Sequence, residues 1–211
     1  MPDSADVIRD VCAQLAAGAR DRAAETLKVH YPFQPSPLAA RRYTPFQAMR
    51  VFLRDGLRDR YSGQRLIHPA ALRFIGALLP TDFPMHPHWK QSECHTAFWE
   101  LAPTLDHIVP IARGGEDAEP NWVTTSMLRN SAKANALLEE IGWELHPPGR
   151  RDEWDGLTGW IIALVDGDPA LSAIPEEGIR HRKYIATWVR ASVRALASLA
   201  EEEPAESRVA R

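Results

Sequence analysis

A mostly helical α+β fold is what the apolar pattern of this chain predicts, on three observations. Apolar residues recur at helical spacing in several separated stretches of its 211 residues. Two short apolar runs, Leu105 to Pro110 and Trp122 to Thr125, are separated by a Gly114-Gly115 turn, and the second leads into another helix-like stretch. A hydrophobic fraction of 45% and a charged fraction of 25% are those of an ordinary globular protein. The length suits one compact domain, or a small catalytic unit with helical additions.

Residues 5–28 read as helical, with Val7, Ile8, Val11, Leu15 and Ala16 at helical spacing and Gly18 as a break. The proline-punctuated linker Tyr31 to Pro37 follows and marks a boundary. Thr44-Pro45 is an N-cap and first-turn pair opening a helix through about Arg54, with Phe46, Met49, Phe52 and Leu53 on its apolar side. Gly56 ends it. Pro69 to Leu79 reads as another amphipathic helix, stopped by Pro80. Residues 80–104 are rich in proline, histidine and aromatics and carry no assignable regular structure. Beyond the two apolar runs, Trp143 to His146 is a candidate short strand, and Leu157 to Val165 and Ile179 to Leu199 read as helices separated by a Gly/Pro loop. The expected organisation is 1–40, a central unit 41–147 with an insertion at 66–104, and a helical extension 148–211.

The net charge of −3 is not that of a nucleic-acid coat, yet charge is unevenly placed. Arg41, Arg42, Arg50, Arg54, Arg58, Arg60 and Arg65 are set against only Asp55 and Asp59. Arg180, Arg182, Lys183, Arg190 and Arg194 form a second basic group ahead of an acidic tail. Phosphate contact needs a local basic patch rather than a basic average, so DNA remains an expected partner. Solvated helix faces explain the second group equally well. Cys12 and Cys94 are too few for a disulfide framework or a four-cysteine zinc site. There is no basic-then-apolar leader and no apolar run of about 18 residues, so neither secretion nor membrane insertion is expected and the default is cytoplasmic.

The residues with chemistry to offer gather around the Gly-Gly turn. Phosphodiester hydrolysis requires that the pentacoordinate phosphate be neutralised, a nucleophile generated and the leaving oxygen assisted. Asp106 offers a carboxylate and Asn130 a carbonyl oxygen, hard ligands that suit one Mg²⁺ or Mn²⁺. His107 is the candidate general base, since a neutral imidazole can take a proton from water. Lys133, one helical turn beyond Asn130, shares its face and is placed to contact phosphate. Arg113 and Arg129 are further candidate substrate contacts.

The set Asp106-His107-Ile108-Val109-Pro110, the Gly-Gly turn, Asn121, Asn130 and Lys133 resembles the HNH endonuclease family over roughly residues 50–66 and 104–136. The resemblance implies a β-hairpin packed on one helix around a divalent ion, the ββα-metal core, with flanking helices outside it. It implies Asp106 and Asn130 as metal ligands and His107, Asn121 and Lys133 as catalytic residues. Asn121 would fix the imidazole by hydrogen bonding and support the loop. A strongly twisted hairpin would let Asp106 and His107 serve one phosphate, although neighbours on a flat strand point to opposite faces.

Many HNH proteins also carry two Cys-x-x-Cys pairs that bind a structural zinc. Here the first pair falls on Asp59-Arg60-Tyr61-Ser62 and the second on Ser126-Met127-Leu128-Arg129, which excludes that zinc site. An Asp59–Arg129 ion pair, with Ser62 and Ser126 nearby, is the expected replacement, and contributes far less than zinc. His86, His88, Cys94 and His95 are zinc-ligand types, but their spacing is not a standard structural-site pattern, and histidine in such loops also caps and stacks. Their role stays open. No Gly-rich phosphate loop with lysine, His-Glu-x-x-His or Gly-x-Ser-x-Gly motif competes. The expectation is a metal-dependent endonuclease acting on double-stranded DNA. The alternatives are a non-catalytic nucleic-acid-binding module on the same fold, and an RNase or nuclease subunit that needs a partner.

Overall fold

The computed structural model describes residues 3–33, 43–166, 169–172, 174–175 and 179–202. The chain divides into two compact units, residues 1–40 and 41–211. In the first, α1 (Ser4–Ala16) packs against α2 (Arg20–His30), with the break in the expected helical stretch at Gly18. Asp3 caps α1 by accepting from the Ala5 N–H, and Val7 and Val11 are its buried residues. Residues 34–42, which hold most of the expected linker together with Arg41 and Arg42, lie outside the described residues, as does the tail beyond Glu202.

The second unit is α+β and mostly helical, with a two-stranded antiparallel sheet. α3 (Pro45–Arg54) begins at a capping box in which Thr44 accepts from the Gln47 N–H and the Gln47 side chain accepts from the Thr44 N–H. Met49, Phe52 and Leu53 on its buried face pack against Ala191 and Ala195 of α9 (Ile179–Glu202) and against Leu105 and Trp122 of the sheet. The two alanines leave room for α3 to lie close to α9. Alongside, α4 (Pro69–Leu78) and α7 (Thr158–Asp166) meet α9 through Ala70, Ala71, Ile161, Ile185 and Val189. α5 (Ala97–Glu100) and α8 (Pro169–Ser172) are single short turns. Residues beyond 148, expected as an extension, therefore share the core of the second unit.

His68 sits fully buried at the start of α4. Its Nδ1 accepts from the Ala70 N–H, which leaves Nε2 to donate to Ser192 Oγ at 2.7 Å; that hydroxyl donates to Trp188 O. Loss of water pushes this imidazole down to about 3.

The sheet pairs β1 (Pro103–His107) with β2 (Trp122–Ser126), Asp106 opposite Val123 and His107 opposite Trp122. Two strands leave two open edges, and buried backbone groups on them need other partners. On the β2 edge, Trp122 O accepts from Arg54 (2.6 Å) and Thr124 O from the Arg60 N–H (2.8 Å), while Thr124 N–H donates to Asp55 (2.8 Å) and Ser126 N–H to Asp59 (2.9 Å). On the β1 edge, Leu105 O accepts from Asn130 Nδ2 (3.3 Å) and His107 O from Lys133 Nζ (2.8 Å). Both donors lie on α6 (Met127–Lys133), which follows β2 directly and packs on both strands. At the Gly-Gly turn, Gly114 takes φ 88° and a Cβ on Gly115 would stand 1.8 Å from Val109 O, so only glycine allows the approach.

Two further expectations meet a different structure. Trp143 to His146 form no strand; His146 instead meets Arg60 through its N–H, which donates to Arg60 O, and its carbonyl, which accepts from Arg60 Nε. The arginines from Arg50 to Arg65 do not make an open basic patch. Arg50 joins Glu119 and Glu202, Arg54 and Arg60 share Asp55, Arg58 donates to Gly63 O, and Arg65 lies over Trp154. No helix among the described residues is long and apolar enough to cross a membrane.

Candidate active site

Asp106 and His107 end β1 and, as strand neighbours, turn to opposite faces. Asp106 Oδ2 accepts from the Tyr61 phenol at 2.8 Å and lies 3.1 Å from the Lys133 ammonium. Burial, and then the charge of Asp106, hold Tyr61 well above the usual phenol range, so it remains a donor. Lys133 is also buried, its ammonium shared between Asp106 and His107 O. It faces inward, as one half of a buried ion pair, rather than out toward a phosphate as expected. Asn130, half-buried one turn earlier, donates its Nδ2 to Leu105 O. Asp106 Oδ1 and Asn130 Oδ1 make no hydrogen bond among the described residues.

His107, only 2% exposed, brings Nε2 to 2.8 Å from Asp117 Oδ1. The Trp122 indole N–H lies 3.0 Å from that nitrogen and 3.1 Å from the same carboxylate oxygen. An indole only donates, so the carboxylate is the acceptor both N–H groups can share. This puts the ring proton on Nε2 and leaves Nδ1 as the basic nitrogen. Asn121 makes no hydrogen bond to the ring among the described residues. Its Oδ1 accepts from the Val109 N–H (3.0 Å), and its Nδ2 donates to Val109 O (2.9 Å) and Glu116 O (2.8 Å). The amide acts as a surrogate peptide group that extends the hairpin by one rung. Asn121 thus supports the loop, whereas Asp117 and Trp122 orient the imidazole.

Below the hairpin, Asp59 is fully buried and accepts four hydrogen bonds. They come from the N–H groups of Tyr61 (2.9 Å), Ser62 (3.2 Å) and Ser126 (2.9 Å) and from the Thr125 hydroxyl (3.1 Å). Ser126 Oγ in turn accepts from the Arg129 N–H, capping α6. Positions 59, 62, 126 and 129 are therefore joined by one chain of hydrogen bonds with Asp59 at its hub. The expected Asp59–Arg129 ion pair is not made among the described residues; the Arg129 guanidinium lies 5.4 Å over Trp143. Asp59 accepts three of these bonds at Oδ1 and one at Oδ2, so its charge is met by backbone and hydroxyl donors rather than by Arg129.

Arg113 pairs with Glu140 and donates to Asn135 O, tying the loop after β1 to the chain after α6. The Leu137 N–H, and then Arg113, hold Glu140 below the usual carboxylate range. In the insertion, His86 Nδ1 accepts from the His88 N–H, His95 Nδ1 from the Ala97 N–H, and the Cys94 sulfur from the His86 N–H. The His95 ring stacks on Phe83. These side chains cap and stack. No group of three or more His, Cys, Asp or Glu placed to hold a metal occurs among the described residues.

Tyr61, Asp117 and Trp122 are the site residues that spacing alone does not single out. The one available signal was a carboxylate, Asp117, in the polar turn that returns the chain to His107. No family model matches the chain, and no curated protein or solved structure matches it.

Proposed function

We propose that this chain is a metal-dependent phosphodiester hydrolase of the HNH type, acting on double-stranded DNA. The observation that carries the reading is the combination on one hairpin and helix. One face has an imidazole oriented through Nε2 with Nδ1 left over. The side toward α6 has Asp106 and Asn130, each with an oxygen that makes no hydrogen bond among the described residues.

Two hard oxygens suit a small divalent cation that keeps several waters and takes phosphate oxygens from its substrate; they do not make an all-protein cage. Asp106 and Asn130 would hold it. When bound, Mg²⁺ or Mn²⁺ would neutralise charge on the phosphate and on the leaving 3′ oxygen. The chain's own residues have the remaining tasks. Tyr61 and Lys133 fix Asp106 through Oδ2. Asp117 and Trp122 hold the ring so that Nδ1 can accept a proton from water. Asn121 and the Gly-Gly turn keep the loop in place; Arg129, whose guanidinium lies over Trp143, is a cation for phosphate oxygens, and Arg113 would serve only on leaving Glu140.

One observation favours a second reading, a non-catalytic nucleic-acid-binding module. The Lys133 ammonium already neutralises Asp106, and a like charge weakens any cation that approaches the same carboxylate. Supercoiled plasmid incubated with purified protein and Mg²⁺, Mn²⁺ or EDTA separates the two, with RNA as a parallel substrate. The expected result is cleavage that EDTA abolishes and that His107→Ala lowers by about two to four orders of magnitude. Plasmid retention without cleavage in either metal would select the binding module. Cleavage unchanged in His107→Ala would sink the assignment of the base.

A further inference from the structure

A cavity of about 150 Å³ lies behind β1, among residues of α4, α5, α6 and α9, and the proposed chemistry does not use it. Trp89, Phe98, Leu105 and Met127 contribute apolar wall, and Arg73 and Tyr184 complete it. A mere packing void is walled by apolar residues throughout; this one has Arg73 among its lining residues, with the guanidinium held against Tyr184, which also lines it. Arg73 lies 4.3 Å over the Tyr184 ring and forms no ion pair with a carboxylate among the described residues. Its partner is the Tyr184 phenol, which it hydrogen-bonds and which burial holds above the usual phenol range, so it stays neutral; the Cys94 thiol is the other acidic group nearby. Burial also pulls Arg73 below its ordinary value, yet a guanidinium stays charged in a protein. A half-buried cation beside an apolar cavity, with no counter-charge, is a poor structural device and a good anion receptor.

We infer that this cavity binds a small carboxylate with an apolar body about the size of one aromatic ring. An apolar cavity of about 150 Å³ accepts a benzene-sized ring. The planar fork of an arginine matches a carboxylate with two parallel hydrogen bonds, and the Tyr184 ring beneath it holds the plane ready. Leu105 precedes Asp106 on β1 and Met127 opens α6, so the ligand seats against the back of the hairpin.

Benzoate is the probe and benzyl alcohol its neutral counterpart, added to the full chain. Tryptophan emission and thermal unfolding report binding, because Trp89 and Trp188 line the cavity. Neither readout depends on cleavage. Benzoate should change the emission saturably and raise Tm, as a ligand of the folded state must, and benzyl alcohol should do so far more weakly. Arg73→Met should weaken benzoate at least about tenfold and narrow the gap between the two ligands. Ala102→Leu, at another lining position, should fill the space and remove both responses. Far-UV circular dichroism checks that the variants fold; where one does not, the two ligands on the native chain decide. No saturable response to millimolar benzoate, an equal response to benzyl alcohol, or unchanged affinity in Arg73→Met would each overturn the inference.

Discussion

Replacing Asp59 by alanine should be among the most damaging single changes available in the second unit. The carboxylate accepts from Tyr61, Ser62 and Ser126 backbone N–H groups and from the Thr125 hydroxyl, and is fully buried. Alanine leaves three of those donors buried without an acceptor; Ser62, half-buried, can turn to water. Each stranded buried donor costs about 1–3 kcal/mol, which sums to about 3–6 kcal/mol once some water enters the space. In a chain of this size that corresponds to a fall in Tm of about 8–20 °C. Asp59→Asn keeps one acceptor oxygen but turns an N–H₂ toward donors, so it should lose about half as much. Urea unfolding followed by circular dichroism measures both. Because the aspartate joins residues 59–62 to β2 and the start of α6, the damage should also reach the hairpin. Hydrogen exchange at Ser126 and Arg129 should quicken before the chain unfolds globally. A loss below about 1 kcal/mol for Asp59→Ala would refute the idea that this residue does the cross-linking.

His68 gives a pH signature. Its folded pKa, about 3, lies below an unfolded value of about 6.5, so its full contribution is present above the latter. As pH falls, the unfolded chain takes up a proton that the folded chain cannot, and about 2 kcal/mol should be gone by pH 5. His68→Gln should remove that component, which paired stability curves at neutral pH and pH 5 will test; parallel curves would rule it out. Lys133→Met should cost about 3–5 kcal/mol by stranding Asp106. If the cation site adjoins that carboxylate, Mg²⁺ should raise the Tm of this variant more than that of the native chain, and equal shifts would separate the two sites. Asp117→Asn should slow cleavage by less than His107→Ala while leaving DNA affinity unchanged; full activity would remove Asp117 from the positioning of the ring. Gly115→Ala should cost about 1–3 kcal/mol through the clash with Val109 O, and a wild-type Tm would show that the turn relaxes freely.

The elements with their own punctuation were legible in the sequence. α3 has its capping box and α4 its proline start, and the long period of α9 needs no partner to be seen. The stripe of α1 runs to Leu15, and only the turn at Gly18 shows that α2 is separate. Residues 80–104 resisted because their shape comes from histidine caps and ring contacts, which have no period. At the site, the set from Asp106 to Lys133 was legible because it is local. Its partners were not. Tyr61 lies 45 positions from Asp106, and Asp59 lies 67 positions from Ser126, beyond anything that spacing on one helix or strand can report. Position in the sequence marks Asp59 as a cross-link but points to the wrong partner, since charge suggests Arg129 where geometry favours backbone N–H groups. The sequence pattern marks Asn130 and Lys133 for chemistry, yet each also satisfies an open carbonyl of β1, a task visible only once the sheet is known to have two strands.

The long reach between α3 and α9 has a consequence for the order in which the molecule can be made. Arg50 and Glu202, which join across these helices, are 152 positions apart. Contacts at such separation form late, because the intervening chain must first be ordered or looped out. On the ribosome, Met49, Phe52 and Leu53 emerge long before the alanines that cover them, and they would wait as a sticky surface for chaperones to shield. Leu105 and Trp122 of the hairpin belong to that same late-closing core. A nascent chain would therefore carry the hairpin residues well before it could hold them in position, which keeps the proposed nuclease silent until synthesis has passed α9.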